Sequence, residues 1–259
     1  VKRNVGVIVL ATGAEALAPQ QGQFGYDGKR VITQLELEGR LRDGSLAGAD
    51  VVMIQCVGAR CEERPYCSRI CCMSAIKNAL LIRQMRPESR VSILYRDLQC
   101  YGVEREEYLR KAKEMGVRFV SYSPDSPPQV GGCSVRVYHQ LFGREVELPA
   151  DLVVLSTPLV PRHDAEVLSK MLKVPLDEEK FFLEAHVKLR PVDFATDGIF
   201  VCGTAHFPAD TGESISQALG AASRASIPLR NLKVSVEPIT SCLVDEEACR
   251  GCGCCAYLC

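Results

Sequence analysis

The stretch ADVVMIQCVGARCEERPYCSRICCMSAIKNALLIRQM, residues 49–85, sets five cysteines within the seventeen residues from Cys56 to Cys72, two of them adjacent, between two apolar segments of different period. Asp50–Gln55 is an apolar run of strand length, and Cys72–Met85 has the length and pattern of a helix. A strand, a loop and a helix in that order open a βαβ unit. The next segments continue it: RVSILYR (90–96) reads as a strand, REEYLRKAKEMG (105–116) as a helix closed by Gly116, and VRFVSY (117–122) as a strand. CSVRVYHQ, REVELP and DLVVLST, residues 133–157, then read as three further strands. The alternation predicts an α/β fold with a parallel, doubly wound sheet, the late strands forming a hairpin or meander, as one domain over 45–157.

Upstream, VGVIVLATG (5–13) reads as a buried strand running into a glycine turn, and a Pro-, Gln- and Gly-rich connection follows over 18–30. Thr33 with Glu36 three residues on makes a capping box, with Leu35, Leu37 and Leu41 on a linker helix. Downstream, ATDGIFVCGTAHFPADTGESISQALGAASRASIPL (195–229) reads as strand, loop and small-residue helix. Ala218, Ala221, Ala222 and Ala225 either pack that helix tightly on a sheet or leave room for a planar cofactor.

With 259 residues, 47% of them hydrophobic, the chain can bury one large core or two ordinary ones. A formal charge of −1, with both signs interspersed, leaves no basic stripe for nucleic acid, so small molecules or proteins are the expected partners. No apolar run approaches the roughly 18 residues that suggest a bilayer span, so direct membrane insertion is not expected. The opening imitates a signal peptide but reads better as strand and turn, and the absence of an initiator Met implies a natural start upstream. Fourteen cysteines in a chain with an ample core point to metal ligation in a reducing compartment, the cytoplasm, rather than to a disulfide scaffold.

Cys67 and Cys71 share a face if the turn between them is helical, Cys72 points about 100° away, and Cys56 comes from the preceding strand's C-terminal end. Ligands sit at that edge of open α/β sheets. Four thiolates around one point suit tetrahedral zinc or an iron–sulfur cube. The paired C-x-x-C spacing usual for zinc is missing. Arg60, Arg64, Arg69 and the helix start could offset a cluster's negative charge. Zinc, or buried structural or redox thiols, remain the alternatives, with Cys61 and Cys100 as spare ligands. The tail CRGCGCCAYLC places Cys249, Cys252, Cys255 and Cys259 at bacterial ferredoxin spacing, with Cys254 and Cys242 as bystanders. In two-cluster ferredoxins the first three serve one cube and the fourth the other, so this run alone is expected to be loosely docked and poor in iron. No G-x-G-x-x-G, Ser/His/Asp or H-E-x-x-H arrangement occurs. Of His139, His163, His186 and His206, only His206, in its Gly-rich loop, invites a functional reading.

FGYDGKRVITQLELE, IQCVGAR with YCSRICCMSAIKNALL, GTAHFPADTGESISQA and CRGCGCC, in this order, resemble the A subunit of heterodisulfide reductase, a flavin and iron–sulfur protein of methanogens and other anaerobes. The resemblance covers nearly the whole chain. It implies a thioredoxin-reductase-like domain (45–157) carrying a [4Fe–4S] cluster, inserted in part of an FAD-binding domain (1–44 and 158–235), with the start of a ferredoxin domain at 236–259. It also implies that the family's N-terminal FAD half and the end of its ferredoxin lie outside this sequence. The ATG at 11–13 and TDGIFVCGTA at 196–205 resemble flavin-domain motifs, which puts Gly13, Gly203, Thr204, Ala205, Glu213 and Ser214 against FAD. Thr204 stands where many such flavoproteins have Asp, which leaves the ribityl contact open. The implied role is electron transfer between flavin, clusters and the other subunits of a heterodisulfide-reductase-like complex, with a hydrogenase or dehydrogenase among the partners. A non-catalytic, zinc-stapled interaction module is the alternative, and a thiol-based NAD(P)H oxidoreductase lacks both its C-x-x-C pair and its nucleotide fingerprint.

Overall fold

Strands buried on both faces need continuous apolar runs, and two segments here supply them: β4 (Asp50–Ile54) and β10 (Leu152–Leu155), in which every residue is buried. The computed structural model describes residues 4–46, 48–231 and 247–258. In chain order its elements are β1 (Ile8–Leu10), β2 (Ala14–Ala16), β3 (Val31–Thr33), α1 (Gln34–Arg42), β4, α2 (Cys71–Met85), β5 (Arg90–Tyr95), α3 (Val103–Glu114), β6 (Arg118–Ser121), β7 (Gln129–Gly131), β8 (Ser134–His139), β9 (Arg144–Pro149), β10, β11 (Leu159–Pro161), α4 (Ala165–Leu172), β12 (Ile199–Val201), α5 (Thr211–Asn231) and α6 (Cys254–Leu258).

The central sheet has the order β3-β10-β4-β5-β6 and is parallel throughout. Side chains alternate across it. Val51 and Met53 of β4 join Leu37 and Leu41 of α1, Ile76 and Ala79 of α2 and Ala112 of α3 in one core layer. Val52 and Ile54 face the other way, onto Val135, Val137 and Leu148 of the antiparallel meander β7-β8-β9. Helices therefore cover one face and the meander the other; of the late strands expected in the meander, 134–139 and 144–149 form it with β7, whereas DLVVLST supplies β10, which pairs in parallel between β3 and β4 inside the central sheet.

The sheet begins earlier than residue 45. Val31 and Ile32 are buried in β3, which pairs with β10, and α1 packs its Leu37 into the helix-side core, so residues 31–42 are part of this sheet layer rather than a linker. A three-residue strand is too short to show a period, and its last residue, Thr33, doubles as the helix cap. The capping box itself is present: Glu36 N–H donates to Thr33 Oγ1 at 3.2 Å and Thr33 N–H to Glu36 Oε2 at 2.6 Å.

The second half pairs β1 with β12 in parallel and sets α5 against them. Ala221 and Ala225 are buried there beside Val192, Phe200 and Cys202, whereas Ala218 and Ala222 are exposed. Two antiparallel strands, β2 and β11, link this half to the sheet.

Candidate cluster site and flavin-side turn

The loop from Gln55 to Ile70 leaves the C-terminal end of β4 and returns to the start of α2 at the same sheet edge. Three of its residues adopt left-handed backbone without being glycine: Cys56 (φ 61°), Arg60 (φ 54°) and Arg69 (φ 63°). Such conformations are disfavoured for L-residues and persist where the surroundings hold them. Here Arg64 Nε donates to Gly58 O at 2.7 Å, Tyr66 OH to Leu159 O at 2.9 Å, and Leu159 N–H to Ser68 Oγ at 2.7 Å. Arg60 pairs with Asp97 at 2.7 Å, and Arg69 pairs with Glu213 and reaches Tyr101 OH at 2.9 Å.

The loop and the start of α2 place the four expected ligands along one sheet edge. Cys56 lies two residues past the end of β4, and the charge of Arg60 acts on its thiol. Cys67 Sγ accepts the Arg69 N–H at 3.3 Å. Cys71 and Cys72 open α2 and reach opposite neighbours of β4: Cys71 Sγ donates to Thr157 O, beyond β10, at 3.5 Å, and Cys72 Sγ to Asp97 O, beyond β5, at 3.8 Å. Burial pushes the Cys71 thiol up to about 12, with the charges of Cys72, Cys67 and Cys56 adding to it. Burial likewise pushes Cys72 up to about 12, against a backbone hydrogen bond from Gln99 and with Cys56, Cys100 and Cys67 adding. Cys56 is also raised by burial, with Arg60 opposing. The charges of Cys72, Cys67 and Cys56 all act on the Cys71 thiol, and thiolates there need a compensating cation. Among the described residues no set of three or more His, Cys, Asp or Glu side chains is arranged to hold a metal ion. The donor set itself, sulfur only and beside Arg60 and Arg69, suits a soft, anionic iron–sulfur group.

Of the spare cysteines, Cys61 is exposed and Cys100 is buried near Cys72. In the tail, Cys249, Cys252, Cys254 and Cys255 are exposed, while Cys242 and Cys259 lie outside the described residues. Beside Cys71 opens a cavity of about 400 Å³, with Gln34, Ser74, Ser156 and Thr157 in its wall.

The flavin-side residues also converge. Parallel pairing of β1 with β12 sets the two strand ends side by side, so that a Cβ added to Gly13 (φ 80°) would meet Thr204 Oγ1 at 3.7 Å. One added to Gly203 (φ 70°) would meet Ser214 at 4.0 Å. Ala205 turns its methyl into the core beneath, and its carbonyl accepts the Phe182 N–H at 3.1 Å. Glu213 is already engaged: it forms a capping box with Asp210 (3.0 and 2.7 Å) and pairs with Arg69. The suspected His206 is buried between Glu184 (2.7 Å) and Gln217 (3.1 Å), and Gln217 Oε1 also accepts the Gly203 N–H at 3.1 Å.

Sequence reasoning missed the contacts that join the two sites. Arg69 with Glu213, and Arg105 with Asp210, tie the cysteine side of the sheet to the first turn of α5, and Arg105 stacks over Tyr101 at 4.6 Å. The Asp210-x-x-Glu213 spacing is itself a capping signature that could have been read. Its arginine partners, more than a hundred residues away, had no local signal.

No protein-family model matches the chain. It is 41% identical over its whole length to two iron-sulfur A subunits of CoB–CoM heterodisulfide reductase, one from Methanopyrus kandleri and one from Methanocaldococcus jannaschii, covering 42% of each. Over 99% of its length it is 39% identical to the A subunit of the H2/formate:CoB-CoM heterodisulfide,ferredoxin reductase of Methanococcus maripaludis, again covering 42%. Among solved structures, the thioredoxin reductases of T. acidophilum (TM-score 0.54, 17% identity, 88% of this chain and 66% of that one) and Lactococcus lactis (0.54, 22%, 87% and 65%) share its fold. The α/β fold with a parallel sheet is thus a thioredoxin-reductase-like one, and the chain belongs to the family of heterodisulfide reductase A subunits, of whose curated relatives it spans about two fifths.

Proposed function

We propose that this chain is an electron-transfer part of a heterodisulfide-reductase-like oxidoreductase, in which Cys56, Cys67, Cys71 and Cys72 hold a [4Fe–4S] cluster and Gly13, Gly203, Thr204, Ala205, Glu213 and Ser214 line one side of an FAD site. The observation that carries this reading is the placing of Cys56, Cys67, Cys71 and Cys72 in and just after one loop at the sheet's C-terminal edge, tied by Arg69 to the first turn of α5. The relatives' description as iron-sulfur subunits supports the cluster, and the flavoprotein-type fold supports FAD.

The bound groups would supply one- and two-electron redox chemistry. The chain's own residues do the rest. The cysteines, as thiolates, bind iron, and Arg60 beside Cys56 offsets their charge. Buried Val57, Cys72 and Cys100 limit water around the sulfurs. Gly13 and Gly203 let a ligand approach the backbone, and the α5 N-terminus favours electronegative atoms there. Arg69 and Arg105 fix the two sites relative to each other.

Cys249, Cys252, Cys255 and Cys259 are proposed as ligands of ferredoxin-type clusters completed by a second cysteine run. Among the described residues no helix is long and apolar enough to cross a membrane. The relatives' names link them to H2 or formate, the CoB–CoM heterodisulfide and ferredoxin. For this chain we place the electron donors and acceptors on partner subunits of a complex of that kind, in a reducing cytoplasm. Iron, acid-labile sulfide, zinc and flavin analysis after strictly anaerobic purification tests the proposal. Iron and sulfide in equal amounts support it, and stoichiometric zinc without iron replaces it with the stapled-module alternative.

A further inference from the structure

At the N-terminal edge of the central sheet, opposite the cysteine loop, lies a further cavity of about 460 Å³, lined by Lys29, Arg30, Arg40, Gly48, Asp151 and Leu152. Three neighbouring parallel strands begin there: β3 at Val31, β10 at Leu152 and β4 at Asp50. Along the chain the charges are interspersed. The fold gathers three cations at this edge, two from the turn before β3 and one from the last turn of α1.

The two arginines are anchored. Arg30 Nη2 donates to Ala150 O at 3.3 Å and Arg40 Nη2 to Gly28 O at 3.1 Å, and both residues are half-buried. A guanidinium carries five N–H donors in a fixed plane, so one bond to a carbonyl orients the rest. Among the described residues Arg30 Nη1, Arg40 Nε and Nη1, and the Lys29 ammonium have no acceptor, and none of the three cations has a carboxylate partner. Arg30 Nε lacks an acceptor too, but it is buried out of a ligand's reach. The one acid in the wall, Asp151, is engaged by the sheet: its Oδ2 accepts the N–H groups of Ala49 at 2.7 Å and Asp50 at 3.0 Å. Gly48 makes that possible, since a Cβ there would meet Asp151 Cβ at 2.5 Å.

Basic residues in a helix's last turn commonly oppose its dipole, which accounts for Arg40. It does not account for Arg30 and Lys29, which come from another element and face the same hollow. Three cations and one carboxylate leave the wall with a net charge of +2. A carboxylate ligand answers half of that. A phosphate group brings about −1.5 to −2 at pH 7, with three acceptor oxygens that match guanidinium forks.

We propose that this cavity binds the phosphate group of a small anionic ligand through Arg30, Arg40 and Lys29. The site stands apart from the cysteine loop and the flavin-side turn and does not depend on the ligands assigned to either. Its occupant takes no part in the chemistry at the C-terminal edge.

Isothermal titration of the protein, with its cofactors in place, against inorganic phosphate, pyrophosphate and succinate tests the proposal, in about 0.15 M NaCl so that distant charges are screened. The expected result is one phosphate or pyrophosphate per chain, bound about tenfold more weakly by each of Arg30→Gln and Arg40→Gln. Lys29→Gln should weaken it less, because Lys29 is exposed. Arg42→Gln removes an exposed charge paired with Asp43 outside the cavity and should leave the affinity as it is. Should Arg30→Gln fail to fold, Arg40→Gln and Lys29→Gln carry the test. No binding of either phosphate probe, binding untouched by the cavity variants, an equal loss in Arg42→Gln, or succinate bound as tightly as phosphate overturns the proposal.

Discussion

The cysteine loop and the flavin-side turn both lie beyond the C-terminal ends of parallel strands, and both place backbone in the left-handed region, but they do so with opposite residues. The flavin-side turn uses Gly13 (φ 80°) and Gly203 (φ 70°), for which that region is unstrained. The cysteine loop uses Cys56, Arg60 and Arg69, each of which costs roughly 1–2 kcal/mol there. Where a ligand is to touch backbone, side chains are removed and the geometry is free. Where the side chains are the proposed ligands and counter-charges, strain is accepted and opposed by Arg60–Asp97, Arg69–Glu213 and the bonds to Leu159. The glycine turn takes its shape without backbone strain; the cysteine loop depends on its contacts.

Removing a ligand is the sharpest way to break that comparison. Cys71→Ala should abolish the loop cluster, with loss of its iron, sulfide and EPR signal, because a cube lacking one of four thiolates is left open to solvent. An unchanged signal would mean that Cys61 or Cys100 is the true fourth ligand. The cavity beside Cys71 makes such loss of access control more severe there than at Cys72, which is buried.

The glycine side should respond in affinity rather than in cluster content. Gly203→Ala puts a Cβ near Ser214 and forces alanine into left-handed backbone, a penalty of roughly 1–2 kcal/mol. Flavin affinity, measured by fluorescence titration on a family member of full length carrying the equivalent change, should fall about tenfold, which corresponds to ~1.4 kcal/mol. Iron content should stay the same. Loss of iron together with flavin would show that the two sites are not separable in the way their backbones suggest.

Much of this was readable in advance because burial writes itself into composition. Val51–Ile54 of β4 and the whole of β10 announce themselves as apolar runs, and Thr33 and Glu36 as a cap. β3 was not readable, since Val31 and Ile32 are only two apolar residues after a polar turn. Nor could sequence show that Cys56 adopts a glycine-like conformation or that Glu213 is occupied by Arg69, for these depend on atoms brought in from distant segments. Local rules reach the elements. The supports between the two sites are products of the fold.

A smaller effect sharpens the comparison from behind the glycine turn. Burial pushes Glu184 up, but the hydrogen bond and charge of His206 outweigh it, leaving the carboxyl below its usual range. A carboxylate depressed in the native state adds stability above its unfolded pKa, near 4.3, and loses it as pH falls through the lower folded value. Because His206 bonds Gln217, which accepts the Gly203 N–H, this acid limb reports on the support of the turn. Glu184→Gln should lower stability near neutrality and flatten its decline below about pH 4.3, as followed by urea unfolding at a series of pH values. An acid limb as steep as the parent's would remove Glu184 from that support.

The smallest expected effect isolates backbone strain at Arg60. Arg60→Ala and Arg60→Gly both delete the pair with Asp97 and the charge beside Cys56, so those losses cancel when the two variants are compared with each other. What remains is the left-handed backbone at φ 54°, where alanine is strained by roughly 1–2 kcal/mol and glycine is not. Glycine also has the more mobile unfolded chain, which takes back about 0.4–1 kcal/mol. The glycine variant should therefore be the more stable by on the order of 0.5–1 kcal/mol in urea unfolding at one pH, the difference between those two effects. The same exchange at an exposed helical site, such as Ala222 in α5, should run the other way, alanine exceeding glycine by about 1 kcal/mol. If alanine wins at position 60 as well, the surroundings do not hold that residue in the left-handed region, and the contrast between a strained cysteine loop and a relaxed glycine turn loses its basis at that position.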